Sequence, residues 1–391
     1  MGLPEPRPAV RALLHEAVRI RRDLHRHPEL SFEEQRTQAL ILERLTALRL
    51  DDVRAMNRTG ATAIVRGALP GPNLLWRADI DALPLTEDTG LPFASENGAM
   101  HACGHDGHAA IALALAEALQ SSRERLAGTV RFAFQPAEER IGGAIGMIEE
   151  GVLEEPRVDR VYGLHLWATT PTGQALVRPG PVFAAATHFR IIVRGRGGHA
   201  AAPHETVDPI VVAAHVVTAL QTIVSRSVDP TDEAVLTIGR IEGGVRGNVI
   251  PESVMMSGTV RTYAERAKRR ILQRMEEILA GVTSAFGATC QFDHSTLDAV
   301  VNDAVCAATV AAAAAAFLGP ENVGEGRAMG GDDMCYFLQR RPGAYFMLGA
   351  QPRDRRAYPH HHPKFDFDEA AIGLGVEVAL RIIETDAGCE L

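Results

Sequence analysis

The sequence has few cysteines and no arrangement of them that indicates a disulfide framework. The 391 residues include five cysteines, at positions 103, 290, 306, 335 and 389. An odd number of scattered cysteines is typical of free thiols in a reducing compartment. No apolar run reaches the length of a membrane span, and charged residues interrupt every apolar stretch near the N-terminus. These absences predict a cytoplasmic protein with no signal peptide and no membrane partner.

An excess of positive charge is also absent. The formal net charge is −9 and the pI is near 5.9, so the chain lacks the basic footprint of a nucleic-acid-binding protein. A chain of 391 residues is also longer than one hydrophobic core usually organises. We therefore expect two domains and no nucleic-acid partner.

The most informative segment that is present is residues 101–108 (HACGHDGH), which holds three histidines, a cysteine and an aspartate. It follows a strand-like stretch at 73–81 and leads into an Ala/Leu-rich helical pattern at 109–120. Cys103 and His105 are two residues apart, so both can point toward one ion in an extended or turning loop. Thiolate and imidazole ligands suit a borderline or soft divalent metal better than calcium or magnesium. A His-rich surface loop is the alternative reading.

Other acidic and imidazole residues also fall near predicted strands. A strand over 129–136 is followed by Glu138 and Glu139. Adjacent carboxylates point in different directions, so one can bind metal while its neighbour handles a proton. His165 lies inside a short apolar strand, where a lone histidine is usually a core residue, although the surrounding pattern favours a ligand. Near the C-terminus, three consecutive histidines precede Pro363.

These motifs, taken together, resemble those of the metallo-amidohydrolases of the M20 peptidase family. The resemblance is to the branch that includes hippurate hydrolases, N-acyl-amino-acid amidohydrolases and plant auxin-conjugate hydrolases. The motifs that carry it span nearly the whole chain in the family's order: Arg22-Asp23-Leu24-His25 with Pro28-Glu29-Leu30, Ala78-Asp79-Ile80-Asp81-Ala82-Leu83-Pro84, the 103–108 run, Gln135-Pro136-Ala137-Glu138-Glu139, Gly163-Leu164-His165, Gly197-Gly198-His199-Ala200-Ala201, Asn248-Val249-Ile250-Pro251 and His361-His362-Pro363.

The periodicity predicts a two-domain α/β fold, and the resemblance implies the same layout. Strands and helices alternate up to about Val182, which is typical of a mostly parallel sheet with flanking helices. From about residue 187 the order becomes β-α-β-β-α-β, the ferredoxin-like unit. We assign residues 1–186 and 297–391 to a metallo-exopeptidase-like catalytic domain, and residues 187–296 to an inserted ferredoxin-like α+β domain. The resemblance implies that the insertion forms a homodimer and acts as a lid.

The resemblance also implies a ligand set for two divalent metal ions per chain, with Mn²⁺ or Zn²⁺ expected. The first ligand position, which is histidine in other branches, is Asp79 here. In the C-terminal histidine run His361 aligns with the family's ligand, and His362 is the alternative register. Asp81 is expected to orient a ligand imidazole. The alternative interpretation is that Asp81 is an ordinary carboxylate at the end of a strand. The implied ligands are Cys103, His105, Glu139, His165 and His361.

The remaining roles are also carried over by resemblance. Glu138 is implied as the general base that accepts a proton from a metal-activated water. His199, in a Gly-rich turn, is implied to stabilise the oxyanion across a dimer, or else it is a surface histidine. Asn248 and Arg261 resemble contacts to a substrate carboxylate, although Arg261 can equally pair with a local acid. The acidic pair that ends the segment 330–333 is expected near the specificity pocket, with no assigned role.

The implied function is metal-dependent hydrolysis of the amide bond of N-acyl amino acids, such as N-acetyl or N-benzoyl conjugates. One alternative is a dipeptidase or carboxypeptidase with the same metals, whose substrate's free amine would need an acidic partner. A second is a metal-bound binding protein without catalysis, which would not need Glu138. Cytidine-deaminase-like zinc chemistry is disfavoured because no Pro-Cys-x-x-Cys follows the His/Cys run.

Overall fold

The computed structural model describes residues 2–391, which divide into two compact units. Unit 1 comprises the chain up to Val182 together with Val301–Arg327 and Asp332–Leu391. Unit 2 comprises Phe183–Val300 and Ala328–Gly331. The sequence pattern placed the short segment Ala328–Gly331 with the catalytic part, whereas its contacts group it with unit 2.

Strands and helices alternate through most of the chain. The strands are β1 (Asp51–Met56), β2 (Gly60–Arg66), β3 (Leu69–Asp79), β4 (Ala127–Gln135), β5 (Arg160–Pro171), β6 (Ala175–Leu176), β7 (Gly180–Phe183), β8 (Ala185–Arg194), β9 (Gly198–His199), β10 (Ala234–Gly243), β11 (Val249–Ile250), β12 (Ser253–Thr262), β13 (Thr289–Leu297), β14 (Val300–Asn302), β15 (Val323–Gly324) and β16 (Gly343–Gln351). The α-helices are α1 (Pro8–Arg26), α2 (Gln35–Ala47), α3 (His105–Ser121), α4 (Gly143–Glu149), α5 (Pro209–Arg226), α6 (Glu265–Ala285), α7 (Ala304–Leu318), α8 (Met334–Arg340) and α9 (Ala370–Ala387).

Unit 1 is built on an eight-stranded sheet with the order β1-β2-β4-β3-β5-β16-β6-β15. Its central strands β4, β3, β5 and β16 pair in parallel, while β1, β2 and β6 add antiparallel pairs. Strands β4 and β16 are buried along almost their whole length and β3 and β5 along about half or more of theirs, as expected for a sheet covered on both faces. The predicted α/β class with a mostly parallel sheet is confirmed.

Helix α3 runs through the core of unit 1 and begins four residues earlier than the Ala/Leu pattern indicates. Its residues from His105 to Ala116 are all buried. Gly104 precedes it with φ +89°, a left-handed conformation that costs a residue with a Cβ, so the chain can turn sharply from Cys103 into the helix. His105 and His108 therefore lie in the first turn of a helix and not in the loop that the sequence predicts.

Unit 2 is built on a four-stranded antiparallel sheet with the order β10-β12-β8-β13. Helices α5 and α6 cover it, and their apolar side chains share one core with the sheet, including Val212, Val216, Ile271 and Met275. This strand order with two helices is the ferredoxin-like arrangement that the β-α-β-β-α-β pattern predicts.

Helix α5 is the one described helix that is long and apolar enough to cross a membrane by length and composition alone. Its mean hydropathy is 1.3 over 18 residues, and 33% of that window is buried. Val212, Val216 and Leu220 follow an i, i+4 spacing and are buried in the core of unit 2. One face of α5 therefore packs in the core of unit 2.

Candidate metal centre

The centre of the site lies at the carboxyl ends of parallel strands in unit 1. Strand β3 ends at Asp79, and Asp81 follows two residues later. Strand β4 ends at Gln135, just before Glu138, and pairs in parallel with β3. The carboxyl ends of parallel strands meet at one edge of a sheet, which is where ligands bind in open α/β sheets. The topology therefore brings together motifs that are far apart in sequence.

The hydrogen bonds of His105 leave one ring nitrogen available to a metal. Its Nδ1 lies 2.9 Å from the Asp81 carbonyl oxygen and 3.2 Å from Asp81 Oδ1. Both partners are acceptors, so Nδ1 carries the proton and donates. Nε2 is buried and has no hydrogen-bond partner among the described residues. A buried, unbonded imidazole nitrogen with a lone pair fits a metal ligand.

His165 presents the same nitrogen toward Cys103. Its Nδ1 donates to the Leu166 carbonyl oxygen at 2.9 Å, and its Nε2 lies 3.5 Å from Cys103 Sγ. Cys103, His105 and His165 form one group whose ligand atoms all lie within 4.8 Å of one another.

A second group joins Cys103 to Glu139 and His361. Glu139 Oε1 lies 3.3 Å from His361 Nε2 and is otherwise without a hydrogen bond among the described residues. His361 has φ +63°, and its neighbour His362 accepts a hydrogen bond from the Lys364 backbone N–H at 3.0 Å. The structure thus places His361, and not His362, against Glu139. Cys103 is common to both groups, so the five predicted ligands form two adjacent clusters.

The electrostatics of these clusters fit divalent cations. Burial raises the pKa of Cys103, and the charge of Glu139 raises it further. Hydrogen bonds to Cys103 and Glu139 raise the pKa of His361 to about 10. Burial lowers the pKa of His105, but the Asp79 charge and the bond to Asp81 raise it well above the usual value. Without a cation, Cys103, His105 and His361 therefore keep protons, and a bound metal ion would displace protons from these ligands. A thiolate, imidazoles and a carboxylate are ligands for transition metals and zinc.

Asp81 connects the ligand His105 to the turn that carries the two glutamates. Besides accepting from His105, its Oδ1 accepts the backbone N–H of Glu138 and its Oδ2 accepts that of Glu139, each at 3.1 Å. The Ser31 hydroxyl also donates to Oδ2 at 2.6 Å. Asp81 is therefore not an ordinary strand-end carboxylate, because one side chain orients both a ligand ring and the glutamate pair.

Glu138 is buried beside the ligand groups. It forms a metal-competent group with His105 and Glu139, and a second acidic group with Asp332 and Asp333. Burial raises the pKa of Glu138 well above its usual value, and the charges of Asp332 and Glu139 add to the increase. A carboxylate with a raised pKa is a stronger base, and nearby cations would return it to the ionised form.

A buried ionic network under the site was missed by the sequence analysis. Arg77 donates to Asp79 Oδ2 at 2.6 Å, to Gln135 Oε1 at 2.8 Å and to Asp333 Oδ1 at 3.1 Å. Asp79 Oδ1 in turn lies 2.5 Å from His108 Nδ1. The available signal was the i, i+2 spacing of Arg77 and Asp79, which puts both side chains on the same face of β3. The structure thus shows where the acidic pair Asp332-Asp333 lies: both carboxylates pair with Arg77, close to Glu138.

Two other histidines of the predicted clusters join neither group of ligands. His101 is buried with both ring nitrogens unbonded among the described residues, and burial lowers its pKa to about 4. His360 bonds to the Leu166 carbonyl oxygen at 3.0 Å, and burial lowers its pKa to about 4 as well. Both rings are therefore neutral at pH 7.

The predicted substrate contacts lie in unit 2. His199 on β9 pairs with Val249 on β11, and the Ala200 N–H donates to the Asn248 carbonyl oxygen at 3.2 Å, so His199 and Asn248 are neighbours. His199 Nδ1 accepts the Ala201 N–H at 3.0 Å. Arg261 lies on β12, where burial lowers its pKa, and it forms no ion pair with any described acid.

The fold and this centre are those of a metal-dependent hydrolase. Residues 75–385 match the profile of Peptidase family M20/M25/M40. The chain belongs to this family, as the motifs predict.

Several relatives are similar along nearly their whole length. The chain is 38% identical to the N-acetylcysteine deacetylase of Bacillus subtilis, covering 94% of this chain and 97% of that protein. It is 37% identical to thermostable carboxypeptidase 1 of Saccharolobus solfataricus, covering 92% of each. Among solved structures, the YXEP protein of Bacillus subtilis, a dinuclear metal-binding M20 peptidase, has a TM-score of 0.83 and 34% identity, covering 95% of this chain and 98% of that one. These relatives support divalent metals and amide hydrolysis.

Proposed function

We propose that the protein hydrolyses the amide bond of N-acyl amino acids, releasing the acyl acid and the amino acid. One observation carries the proposal: the Asp81 carboxylate accepts the backbone N–H groups of both Glu138 and Glu139 while also orienting His105. A base and two ligands held by one buried side chain form a preorganised hydrolytic site. A binding protein would not need the base.

In this proposal the five ligands hold two divalent ions, with Mn²⁺ or Zn²⁺ favoured by the mixed sulfur, nitrogen and oxygen donors. When bound, the ions supply Lewis acidity toward water and toward the amide carbonyl. Glu138 accepts the proton that water loses as it adds to the carbonyl carbon. The same carboxyl then gives this proton to the leaving nitrogen as the C–N bond breaks.

The residues of unit 2 are proposed to bind the charged parts of the substrate. Arg261 has no acidic partner among the described residues, so its guanidinium is available to the α-carboxylate of the amino acid, with Asn248 as a further donor. Because Nδ1 of His199 accepts the Ala201 N–H, a neutral His199 ring carries its proton on Nε2. Nε2–H can then donate to the oxyanion, which we propose it does in the partner chain of a dimer.

The proposed homodimer forms through unit 2. Ile210 and Val211 on α5 are 46% and 47% exposed, and Val235 and Ile241 on the edge strand β10 are 39% and 54% exposed. Apolar side chains on a helix and on an edge strand of one small unit favour association with a second copy.

The five free cysteines support the cytoplasmic location that the proposal includes.

A carboxypeptidase is the second candidate, because the S. solfataricus relative with 37% identity is a thermostable carboxypeptidase. Both activities need the α-carboxylate contact. The two activities differ in the group on the carbonyl side of the scissile amide, which is an acyl group in an N-acyl amino acid and a residue with a free amine in a dipeptide.

A substrate panel tests the proposal. Metal-reconstituted protein is assayed against N-acetyl, N-benzoyl and N-indolylacetyl amino acids and against dipeptides, with and without chelator. We expect the N-acyl amino acids to be cleaved with the higher kcat/KM, and chelator to abolish turnover. Faster cleavage of dipeptides would favour the carboxypeptidase, and full activity after verified metal removal would refute both.

A further inference from the structure

We propose that Arg21 is a positioning residue that sets the geometry of one of the two metal groups. It does so through a buried ionic clamp between the segment that carries Cys103 and the segment that carries His361. This inference rests on the ligand set of the proposed function and concerns how that set is assembled. Arg21 directly precedes the motif of residues 22–25, to which the proposed function gives no role.

Arg21 is fully buried and joins two segments of unit 1. Its Nε donates to Asp106 Oδ2 at 2.9 Å, in the first turn of α3 and one residue after the proposed ligand His105. Its two terminal nitrogens donate to Asp366 Oδ1 at 2.7 Å and to Glu369 Oε1 at 3.1 Å. A guanidinium has donors on several edges of one rigid plane, so it can hold carboxylates from two segments at a fixed separation. Arg21, Asp106 and Asp366 are here called the Arg21 clamp.

Two further contacts hold residues 361–367 against the start of α3. The His361 N–H donates to the Ala102 carbonyl oxygen at 2.8 Å. The buried ring of Phe367 has its Cζ only 2.6 Å from the position that a Cβ at Gly107 would take, so a side chain there would collide with the ring. The other side of this ring is near Arg21, whose guanidinium carbon lies 4.4 Å from the ring centroid. The clamp therefore closes on a segment that contacts the ligand-bearing loop at both of its ends.

One of the two metal groups has supports that do not involve the clamp. In the group of Cys103, His105 and His165, here called the inner group, all three side chains are buried. Each imidazole of the inner group is also oriented by a hydrogen bond from its Nδ1. His105 donates to the Asp81 carbonyl oxygen at 2.9 Å, and His165 donates to the Leu166 carbonyl oxygen at 2.9 Å. The ring orientations of the inner group are therefore fixed locally.

The outer group, formed by Cys103, Glu139 and His361, lacks such supports. The His361 side chain is 54% exposed, and its Nε2 lies 3.3 Å from Glu139 Oε1. Among residues 2–391 its ring hydrogen-bonds only to Glu139 and Cys103, which are members of the same group. The position of the His361 backbone therefore decides whether the outer group is assembled. We infer that the Arg21 clamp fixes that position relative to Cys103.

A Zn²⁺ titration tests the clamp. Metal-free protein is refilled with Zn²⁺ in competition with a chromophoric chelator, which gives the affinity of each of the two binding steps. The step that weakens in His361→Asn identifies the outer ion. We expect Arg21→Lys and Asp366→Ala each to weaken the same step about tenfold to hundredfold and to leave the other step unchanged. A lysine keeps the charge, but its single nitrogen cannot reach the carboxylates of both segments.

Two variants serve as controls. Arg7 also joins two carboxylates of unit 1, Glu377 at 3.0 Å and Glu384 at 2.7 Å, but it contacts neither ligand-bearing segment. Arg7→Lys should therefore lower the free energy of unfolding of the metal-free protein without changing either Zn²⁺ step. Arg355→Gln removes the exposed partner of the other Asp366 oxygen, and it should change neither step.

The outcomes separate this inference from the proposed function. If Arg21→Lys does not fold, Asp366→Ala carries the test. If the folded clamp variants bind both ions as the wild type does, the clamp is wrong and the ligand set stands. If they weaken both steps equally, or if Arg7→Lys weakens the outer step as much, the effect is a general loss of stability and the clamp is again wrong. If His361→Asn leaves both steps intact, the ligand set of the proposed function fails first, and the clamp fails with it.

Discussion

The backbone N–H of Leu166 donates a 2.9 Å hydrogen bond to Nε2 of His108. This nitrogen must therefore carry a lone pair, and the ring proton resides on Nδ1, which donates to Asp79 Oδ1. Both nitrogens of His108 are used in hydrogen bonds. His105, three residues earlier, differs from His108, because its Nδ1 is bonded to Asp81 while its Nε2 has no hydrogen-bond partner among the described residues. The two histidines of one helical turn thus have different tasks.

We predict that His108→Gln retains both metal ions but unfolds more easily, by about 1–3 kcal/mol, because it breaks a buried hydrogen-bond chain. His105→Gln should lose at least one ion. Elemental analysis and thermal unfolding of the two purified variants check this. A His108→Gln protein that loses an ion while His105→Gln keeps both would reverse the assignment.

We predict that Glu138→Gln keeps both ions and loses about two to four decades of kcat, because glutamine cannot accept a proton. Glu139→Gln should instead lose metal, with activity that partly recovers at high metal concentration. Metal content and kcat measured on both variants separate the base from the ligand. If Glu138→Gln strips a metal and Glu139→Gln does not, the register of the pair is off by one.

The proposed action of His199 across a dimer predicts complementation. His199→Ala and Glu138→Gln should each be nearly inactive alone, and mixed dimers should regain part of the activity, because one active site in each would contain both intact residues. Activity is measured after subunit exchange, with heterodimers verified by tagged chains. Verified heterodimers that remain inactive would place His199 in its own site or outside catalysis.

The raised pKa of His361 predicts a pH dependence of metal affinity. With a pKa of about 10 in the metal-free protein, its imidazole is protonated across pH 6–8. Binding an ion must release this proton, so the apparent affinity should rise about tenfold per pH unit for each proton released. Competition with a chelator at several pH values, together with direct measurement of proton release, checks the sign. An affinity that is flat from pH 6 to 8 contradicts it.

The N-terminal segment should contribute to stability through Arg7. Its guanidinium pairs with Glu377 at 3.0 Å and with Glu384 at 2.7 Å, and Glu377 is fully buried. Arg7→Ala should lower the free energy of unfolding by about 2 kcal/mol, because it removes a partner of a buried charge. Arg11→Ala removes an exposed pair with Glu5 and should cost less than about 0.5 kcal/mol. Chemical denaturation of both variants tests this, and equal values for the two would contradict it.

Many features of the centre followed from the sequence because its residues are concentrated in short segments. Cys103 and His105 are separated by one glycine, and Glu138 and Glu139 are adjacent directly after a strand. Alternating strand and helix patterns predicted a parallel sheet, whose strand ends meet at one edge. The ferredoxin-like order of unit 2 followed in the same way from its periodicities. Local spacing and strand order were therefore enough for the fold class, while the family and the set of candidate ligands came from the resemblance of the motifs to a known family.

The tertiary structure alone decided which nitrogen of each histidine is available and which histidine of a run faces the site. His108 and Leu166 are 58 positions apart, and the Arg77–Asp333 contact spans 256. Hydrogen-bond partners at such separations depend on how the strands and helices pack, and side chains of one type are equivalent in sequence until that packing distinguishes them. The sequence thus determined which residue types are present and roughly where, and packing decided which of them bind, support or select.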